Sequence, residues 1–273
     1  MSRTPPTSGV HRQWFGTHTP ERYRTGPIVL LHEGLGSLST WGQFPARLAN
    51  TCERPVLAYD RRGYGRSPAH PAPWPADFMH LEAIELARLL IEEDIENPIL
   101  VGHSDGATIA LLYPHECLSE GPRPPGADPR HPAPAPTGIV SLAAHLFVEQ
   151  VCVDEIEQMR AGQREQLVKR LAPHHDDAAN VFEGWSEVWT SERFRTWAID
   201  DELSAVTCPV LAFQGEEDTY ATRQQLQRME AAVHGPIELV DLPGCDHWPH
   251  REATDDVLAR IAAFCHSIDT LPA

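Results

Sequence analysis

The sequence predicts an α/β protein in which helices flank a mostly parallel central sheet. Apolar runs such as residues 27–31 and 55–60 are continuous rather than alternating, which is typical of strands buried on both faces of a parallel sheet. These runs alternate with amphipathic stretches of helical length, as in doubly wound architectures. The length of 273 residues suffices for one large core of this kind.

The elements are predicted in a regular order along the chain. An aromatic, strand-like stretch at residues 10–24 is expected to form an edge hairpin. Leu81 is among the apolar residues expected on the buried face of the amphipathic helix predicted at residues 78–90. Core strands are predicted at residues 27–31, 55–60, 98–101, 137–144, 208–214 and 237–242, and helices at residues 39–49, 78–90, 107–113, 221–233 and 253–267.

Two segments depart from this order. Residues 146–200 contain no strand-like run and instead hold helical stretches at about 153–171 and 176–192. We therefore expect residues 146–200 to form a helical cap, inserted into a core made of residues 1–145 and 201–273. Residues 114–136 are rich in Pro, Gly, Ala and charge, which predicts a long surface loop.

The composition argues against several classes of partner. The formal net charge is −17, from 39 acidic and 22 basic residues, which disfavours nucleic acid and anionic membrane surfaces. No apolar run approaches the roughly 18 residues that span a bilayer, and the N-terminus lacks the apolar region of a signal peptide, so we expect a cytoplasmic location. Six scattered cysteines without a C-x-x-C pair predict free thiols. We expect no metal and no cofactor, and the oligomeric state stays open.

A glycine-flanked serine, Gly-His-Ser-Asp-Gly at residues 102–106, lies between a predicted strand and a predicted helix. In that context G-x-S-x-G is typical of a nucleophile elbow, a sharp turn that exposes a serine hydroxyl at the tip of a sheet. Gly102 and Gly106 lack the Cβ atoms that would crowd the strand and the helix. An ordinary turn would give the same pentapeptide, so the interpretation of Ser104 as a nucleophile depends on its partners.

A serine hydroxyl needs a base to take its proton and an acid to orient that base. His247 and Asp218 are the candidates we favour, because each follows a predicted strand and the order Ser, Asp, His is a known triad order. Asp246 is adjacent to His247 in sequence, and such neighbours rarely have the required geometry. The alternatives are the acids Glu216, Glu217 and Asp246 and the bases His234, His250 and His266.

A tetrahedral oxyanion beside the serine needs two N–H donors. The backbone N–H of Asp105 is the first candidate, and that of Leu35, in the loop after the first core strand, is the second. Gly34 and Gly36 allow this loop a close approach. Glu33 conflicts with such a site, because a carboxylate opposes developing negative charge. Its side chain is expected either to turn away, toward loop amides or an arginine, or to be a solvated surface charge.

Several motifs together resemble the α/β-hydrolase fold superfamily. They are the loop HEGLG at residues 32–36, the loop DRRGYGRS at 60–67, the pentapeptide GHSDG, the helical segment 146–200, the sequence GEED at 215–218 and the loop around His247. The resemblance covers about residues 10–268 and extends to small capped serine esterases and meta-cleavage-product hydrolases. The chain departs from the superfamily pattern where Glu33 follows His32, where Asp246 precedes His247 and in segment 114–136.

The resemblance implies an α/β-hydrolase fold with Ser104 as the nucleophile, Asp218 as the acid and His247 as the base. It also implies that Leu35 and Asp105 donate to the oxyanion and that no cofactor takes part. The activity it implies is cleavage of a small carboxylic ester through an acyl-enzyme.

The same side chains leave other activities open. They serve equally for cleavage of a carbon–carbon bond in a ring-cleavage product and for thioester or lactone hydrolysis. A binding protein that kept the fold and lost turnover is a further alternative. Aromatic residues of the cap either line a substrate pocket or form the cap's own core. The pocket residues predicted are Phe147, Trp185, Trp189 and Trp248.

Overall fold

The computed structural model of the chain describes residues 8–16, 26–70, 73–118 and 132–270. Seven strands in this part of the chain form one sheet with the order β1-β3-β2-β4-β5-β6-β7. Only β1 is antiparallel to its neighbour, and every other pairing is parallel. The strands are β1 (Arg12–Phe15), β2 (Ile28–Leu31), β3 (Val56–Tyr59), β4 (Ile99–His103), β5 (Gly138–Leu142), β6 (Val210–Gly215) and β7 (Ile237–Leu242).

Helices connect these strands, and three of them follow one another between β5 and β6. None of the helices in the described ranges is long and apolar enough to cross a bilayer. The helices are α1 (Phe44–Cys52), α2 (Phe78–Glu92), α3 (Asp105–Leu118), α4 (Gln150–Gly162), α5 (Arg164–Leu171), α6 (Ala178–Trp189), α7 (Gln224–Ala232), α8 (Pro249–Glu252) and α9 (Thr254–Thr270).

Apolar side chains cover both faces of the sheet. On one face, Leu48 of α1 and Ile261 of α9 pack against strand residues such as Val101. On the other face, α2 and α3 form a continuous cluster that also takes in Phe182 of α6. Residues of β2, β3 and β4 are fully buried, which explains why the strands read as uninterrupted apolar runs. The predicted fold class is confirmed.

The structure corrects several predicted element boundaries. The helix expected at 39–49 is a short 3₁₀ turn, Leu38–Trp41, and then α1, because Gly42 adopts a φ of 57° between them. The stretch expected as one helix at 153–171 is two, α4 and α5, with a break at Gln163. Helix α3 continues through Pro114 to Leu118, so the predicted 114–136 loop starts later. Its residues 119–131, like residues 17–24 of the expected hairpin, lie outside the described residues.

Candidate active site

The turn between β4 and α3 holds Ser104 in a left-handed backbone conformation, with a φ of 52°. That conformation is strained for a residue with a Cβ and is typical of the serine in a strand-turn-helix elbow. The Ser104 N–H donates to the carbonyl of Leu142 in β5 (2.9 Å). A Cβ at Gly102 would overlap the first turn of α3, and one at Gly106 would overlap the carbonyl of Leu31. Both glycines are therefore required by close packing.

Ser104, His247 and Asp218 meet at the carboxyl edge of the sheet. The distance from His247 Nε2 to Ser104 Oγ is 3.0 Å, and that from His247 Nδ1 to Asp218 Oδ2 is 2.9 Å. A carboxylate only accepts, so Nδ1 carries the imidazole proton and Nε2 accepts from the serine hydroxyl. Ser104 and His247 are 7% and 5% exposed, which shields these hydrogen bonds from water.

The Asp218 carboxylate is fully buried and fully hydrogen-bonded. Its Oδ1 accepts the N–H groups of Tyr220 (2.8 Å) and Ala221 (3.1 Å), and its Oδ2 also accepts from the Gln214 side chain (2.5 Å). Burial alone raises the pKa of Asp218, but the His247 imidazole and the backbone N–H of Tyr220 outweigh it and hold the pKa below its usual value. The carboxylate therefore stays ionised next to His247.

The alternative acids lie elsewhere. The Asp246 carboxylate accepts from the N–H (2.9 Å) and hydroxyl (3.2 Å) of Thr219. These bonds stabilise the loop that carries Asp218. Glu216 and Glu217 are exposed. Of the alternative bases, His250 is buried against the ring of His103.

The loop after β2, which carries Leu35, lies against the first turn of α3. The Leu35 carbonyl accepts from His175 Nε2 (3.1 Å), and the Gly36 N–H donates to the Glu33 carbonyl (3.0 Å). The indole of Trp185 in α6 packs so closely on Gly34 that a Cβ there would overlap it. The same indole N–H donates to the Asp105 carboxylate (3.0 Å). Trp185 thus joins the two segments from which the predicted oxyanion donors come.

Sequence comparison identifies the family to which this arrangement belongs. A sequence model of the Alpha/beta hydrolase family matches residues 28–261. The chain belongs to the α/β hydrolase family. An sn-1-specific diacylglycerol lipase, ABHD11, from Xenopus laevis is 26% identical over 88% of this chain and 80% of its own length. A putative carbamate hydrolase, RutD, from Escherichia coli is 38% identical, but that match spans only 35% of this chain and 36% of RutD.

Solved structures share the fold of this hydrolase at low sequence identity. A thermophilic esterase from Thermogutta terrifontis superposes with a TM-score of 0.68 at 17% identity, covering 96% of this chain and 94% of the esterase. An enol-lactonase from Burkholderia xenovorans superposes with a TM-score of 0.69 at 18% identity, covering 94% of this chain and 96% of the lactonase. At these identities the likeness shows the fold alone.

Three of the four predicted pocket residues lie near Ser104 and His247 or their immediate neighbours. The Trp248 ring is 5.4 Å from that of His247, and Trp185 contacts Asp105 as described. Trp189 is fully buried, 6.4 Å from the Trp185 ring. Phe147 lies under the Arg228 guanidinium, 3.9 Å away, and forms a bridge with Ala198.

Sequence reasoning missed three residues around the triad. The ring of Tyr220 is 4.8 Å from that of His247, and the buried ring of His145 is 5.7 Å from it. Burial lowers the pKa of His145 to about 3, helped by the neighbouring His247, so His145 is neutral. The third, His103, precedes Ser104 and bonds to the His247 backbone. The one available signal was position, since each follows or ends a core strand.

The carboxylate of Asp105 is a further buried charge beside the predicted nucleophile. Burial raises the pKa of Asp105 to about 6, although the Arg61 guanidinium and the Trp185 N–H act in the opposite direction. Arg61 is itself fully buried and donates to the Glu33 carbonyl (2.9 Å). Within the described residues, no group of three or more His, Cys, Asp or Glu side chains could hold a metal ion.

Proposed function

We propose that this hydrolase cleaves small carboxylic esters through an acyl-enzyme on Ser104. The observation that carries the proposal is the hydrogen-bonded series of Ser104, His247 and Asp218, with distances of 3.0 and 2.9 Å. A hydroxyl, a neutral imidazole and a buried carboxylate in this order are the parts that activate a serine. A curated relative named as a diacylglycerol lipase supports ester chemistry.

The mechanism follows from the proton positions. As Ser104 Oγ attacks the ester carbonyl, its proton passes to His247 Nε2, and the ionised Asp218 stabilises the resulting imidazolium. We assign the backbone N–H groups of Leu35 and Asp105 to the oxyanion, helped by the N-terminus of α3. The imidazolium then protonates the leaving alcohol. Water, deprotonated by His247, releases the acid from Ser104 by the reverse sequence.

The small size of the proposed substrate rests on how the site is enclosed. Ser104 and His247 are nearly inaccessible. Trp248 packs near His247, and Trp185 and Trp189 contact the neighbouring residues Asp105 and His145. Such a site fits a short acyl or aryl group better than a long chain.

Replacing Ser104 with Ala tests the proposal. We expect hydrolysis of p-nitrophenyl acetate and butyrate to fall by on the order of 10⁶-fold, because no nucleophile remains. Turnover by purified protein is measured from p-nitrophenolate release. Parallel assays with a lactone, a thioester and a ring-cleavage dienoate show whether the protein cleaves any of these alternative bonds. Full ester turnover in Ser104→Ala would contradict the proposal.

A further inference from the structure

Glu33, which sequence reasoning found out of place next to an oxyanion site, lies in a defined set of contacts. Its carboxylate is 14% exposed and lies 3.6 Å from His103 Nδ1 and 3.7 Å from the Arg251 guanidinium. It also fills the space that a Cβ on Gly36 would occupy. Glu33 therefore contacts β4, α8 and its own loop at once, and it is not a solvated surface charge.

His103 links this carboxylate to the loop that carries the base. Its Nε2 lies 2.7 Å from the backbone carbonyl of His247. A carbonyl only accepts, so His103 Nε2 carries a proton and donates. His103 is fully buried and is the last residue of β4, immediately before Ser104. One hydrogen bond thus joins the strand of the predicted nucleophile to the backbone of the predicted base.

The charges around His103 come from several elements. The buried ring of His250 in α8 lies 4.7 Å from it, and that of His247 lies 5.2 Å from it. Burial raises the pKa of Glu33, but His103 and His250 outweigh this effect and lower the pKa overall. Burial also lowers the pKa of His103 against the pull of Glu33. Glu33 is therefore the ionised member of this group.

We propose that Glu33 and His103 are positioning residues that together hold the His247 imidazole at hydrogen-bond distance from Ser104. The inference rests on the proposed function, because it concerns the same triad. His103 fixes the backbone of His247 through its Nε2–H. Glu33 lies beside the His103 ring and acts through Arg251 on the helix that follows His247. Because Glu33 also packs against Gly36, one carboxylate orders the Leu35 loop and the His247 loop together. Neither side chain is required to touch the substrate.

Variants of His103 separate the hydrogen bond from simple packing. His103→Phe keeps a planar ring without a donor, whereas His103→Gln keeps an N–H that can reach the carbonyl. A displacement of about 1 Å between reacting groups costs on the order of 100-fold in rate, so we expect His103→Phe to lower kcat by about that factor with KM little changed. His103→Gln should recover most of this loss. Glu33→Gln, which removes only the charge, should lower kcat less than His103→Phe.

A second acid–histidine pair in the chain provides a matched control. His80 Nδ1 lies 2.9 Å from Glu116 Oε1 between α2 and the C-terminal end of α3. His80→Phe and Glu116→Gln make the same chemical changes away from the triad, and we expect wild-type kcat for both. Thermal unfolding of every variant shows whether the protein remains folded.

The rate of covalent reaction of Ser104 with a fluorophosphonate gives a readout that does not depend on ester turnover. This rate should fall in His103→Phe by the same factor as kcat and recover in His103→Gln. Wild-type kcat and labelling rate in His103→Phe and Glu33→Gln would overturn the positioning role, as would equal impairment of His103→Phe and His103→Gln in folded protein. A wild-type protein whose Ser104 fails to react would instead overturn the proposed function.

Discussion

At the scale of single residues, the site depends on one strained turn and on the absence of two Cβ atoms. Ser104 has a positive φ of 52°, and the surrounding packing must hold it there. Gly106 allows α3 to lie against the carbonyl groups that end β2. The fold therefore places a very close backbone approach beside the proposed nucleophile.

The Gly106→Ala substitution should destabilise the protein by about 1–3 kcal/mol, the usual cost of overpacking a core. The new Cβ would overlap the Leu31 carbonyl, and backbone cannot move aside as a flexible side chain can. Urea unfolding followed by circular dichroism measures the change. Gly162→Ala is the control, because a Cβ at Gly162 meets nothing within 4 Å and replaces a helical glycine. Equal stability of the two variants would contradict this account of the turn.

Two aspartates near His247 differ in a way that mutation can detect. Asp218→Asn leaves the shape of the loop but removes the charge that fixes the imidazole tautomer, and we expect kcat to fall by about 10⁴-fold. Asp246→Asn should keep most of the turnover, because Asp246 bonds to Thr219 and not to the imidazole. Steady-state kinetics on p-nitrophenyl butyrate compares the two. A larger loss in Asp246→Asn would mean that the orienting acid is misassigned.

At the scale of elements, α6 covers the residues beside Ser104. Its Trp185 reaches both the Leu35 loop, at Gly34, and Asp105 at the start of α3. Whether residues 146–200 form a separate cap domain stays a prediction, but this contact shows that α6 lies directly over the site.

Shortening Trp185 should change the preferred acyl length. Trp185→Ala removes the ring over the proposed oxyanion loop, so we expect kcat/KM for p-nitrophenyl octanoate to rise relative to that for the acetate. Trp185→Phe, which keeps most of the ring and loses only the N–H donor, should change this ratio less. Initial rates across an acetate-to-decanoate series measure it. An unchanged ratio in Trp185→Ala would show that this ring does not limit the acyl pocket.

The sequence could predict the core strands and the meeting of Ser104, Asp218 and His247 for one physical reason. Buried parallel strands need continuous apolar runs, and their carboxyl ends bring the following residues to one edge. Helix faces were less predictable. Leu81 of α2 is exposed, whereas Glu82 is buried. Burial raises the pKa of Glu82 to about 7, and the Arg61 charge partly offsets this effect. A buried arginine reverses the expected polarity, and nothing in the local pattern of α2 reveals it.

The contacts of Glu33 and His103 could not be predicted either. They join residues far apart in the chain, and the carboxylate of Glu33 reads in sequence as a surface charge. The same holds for Tyr220 and His145, which sequence position alone does not distinguish from other loop residues. The contact of Phe147 with Arg228 and its bridge to Ala198 also join residues far apart in the chain.

At the scale of the whole molecule, buried histidines determine the response to acid. Burial is the main cause that lowers the pKa values of five histidines in the described ranges, namely His32, His103, His145, His175 and His250. Below their ordinary value of 6.5 the unfolded chain binds protons that the folded chain excludes, so stability falls as the pH falls. Asp105 and Glu82, with raised pKa values, oppose this trend because the folded state protonates them first.

Since five histidines outnumber these two acids, we expect the midpoint temperature of thermal unfolding to be lower at pH 5.5 than at pH 7.5. Calorimetry in buffers of equal ionic strength measures it. Asp105→Asn removes one of the opposing groups and should make the dependence on pH steeper. A midpoint that is constant or higher at pH 5.5 would contradict the assignment of these histidines as buried and neutral.

The most direct test of the central claim is peptide mapping of the acyl-enzyme by mass spectrometry. Protein mixed with p-nitrophenyl butyrate and quenched in acid within a turnover should carry a butyryl group on Ser104. Asp218→Asn should acquire this group more slowly, and Ser104→Ala should not acquire it at residue 104. A butyryl group on any other residue, or turnover with no covalent intermediate at Ser104, would contradict the proposed mechanism.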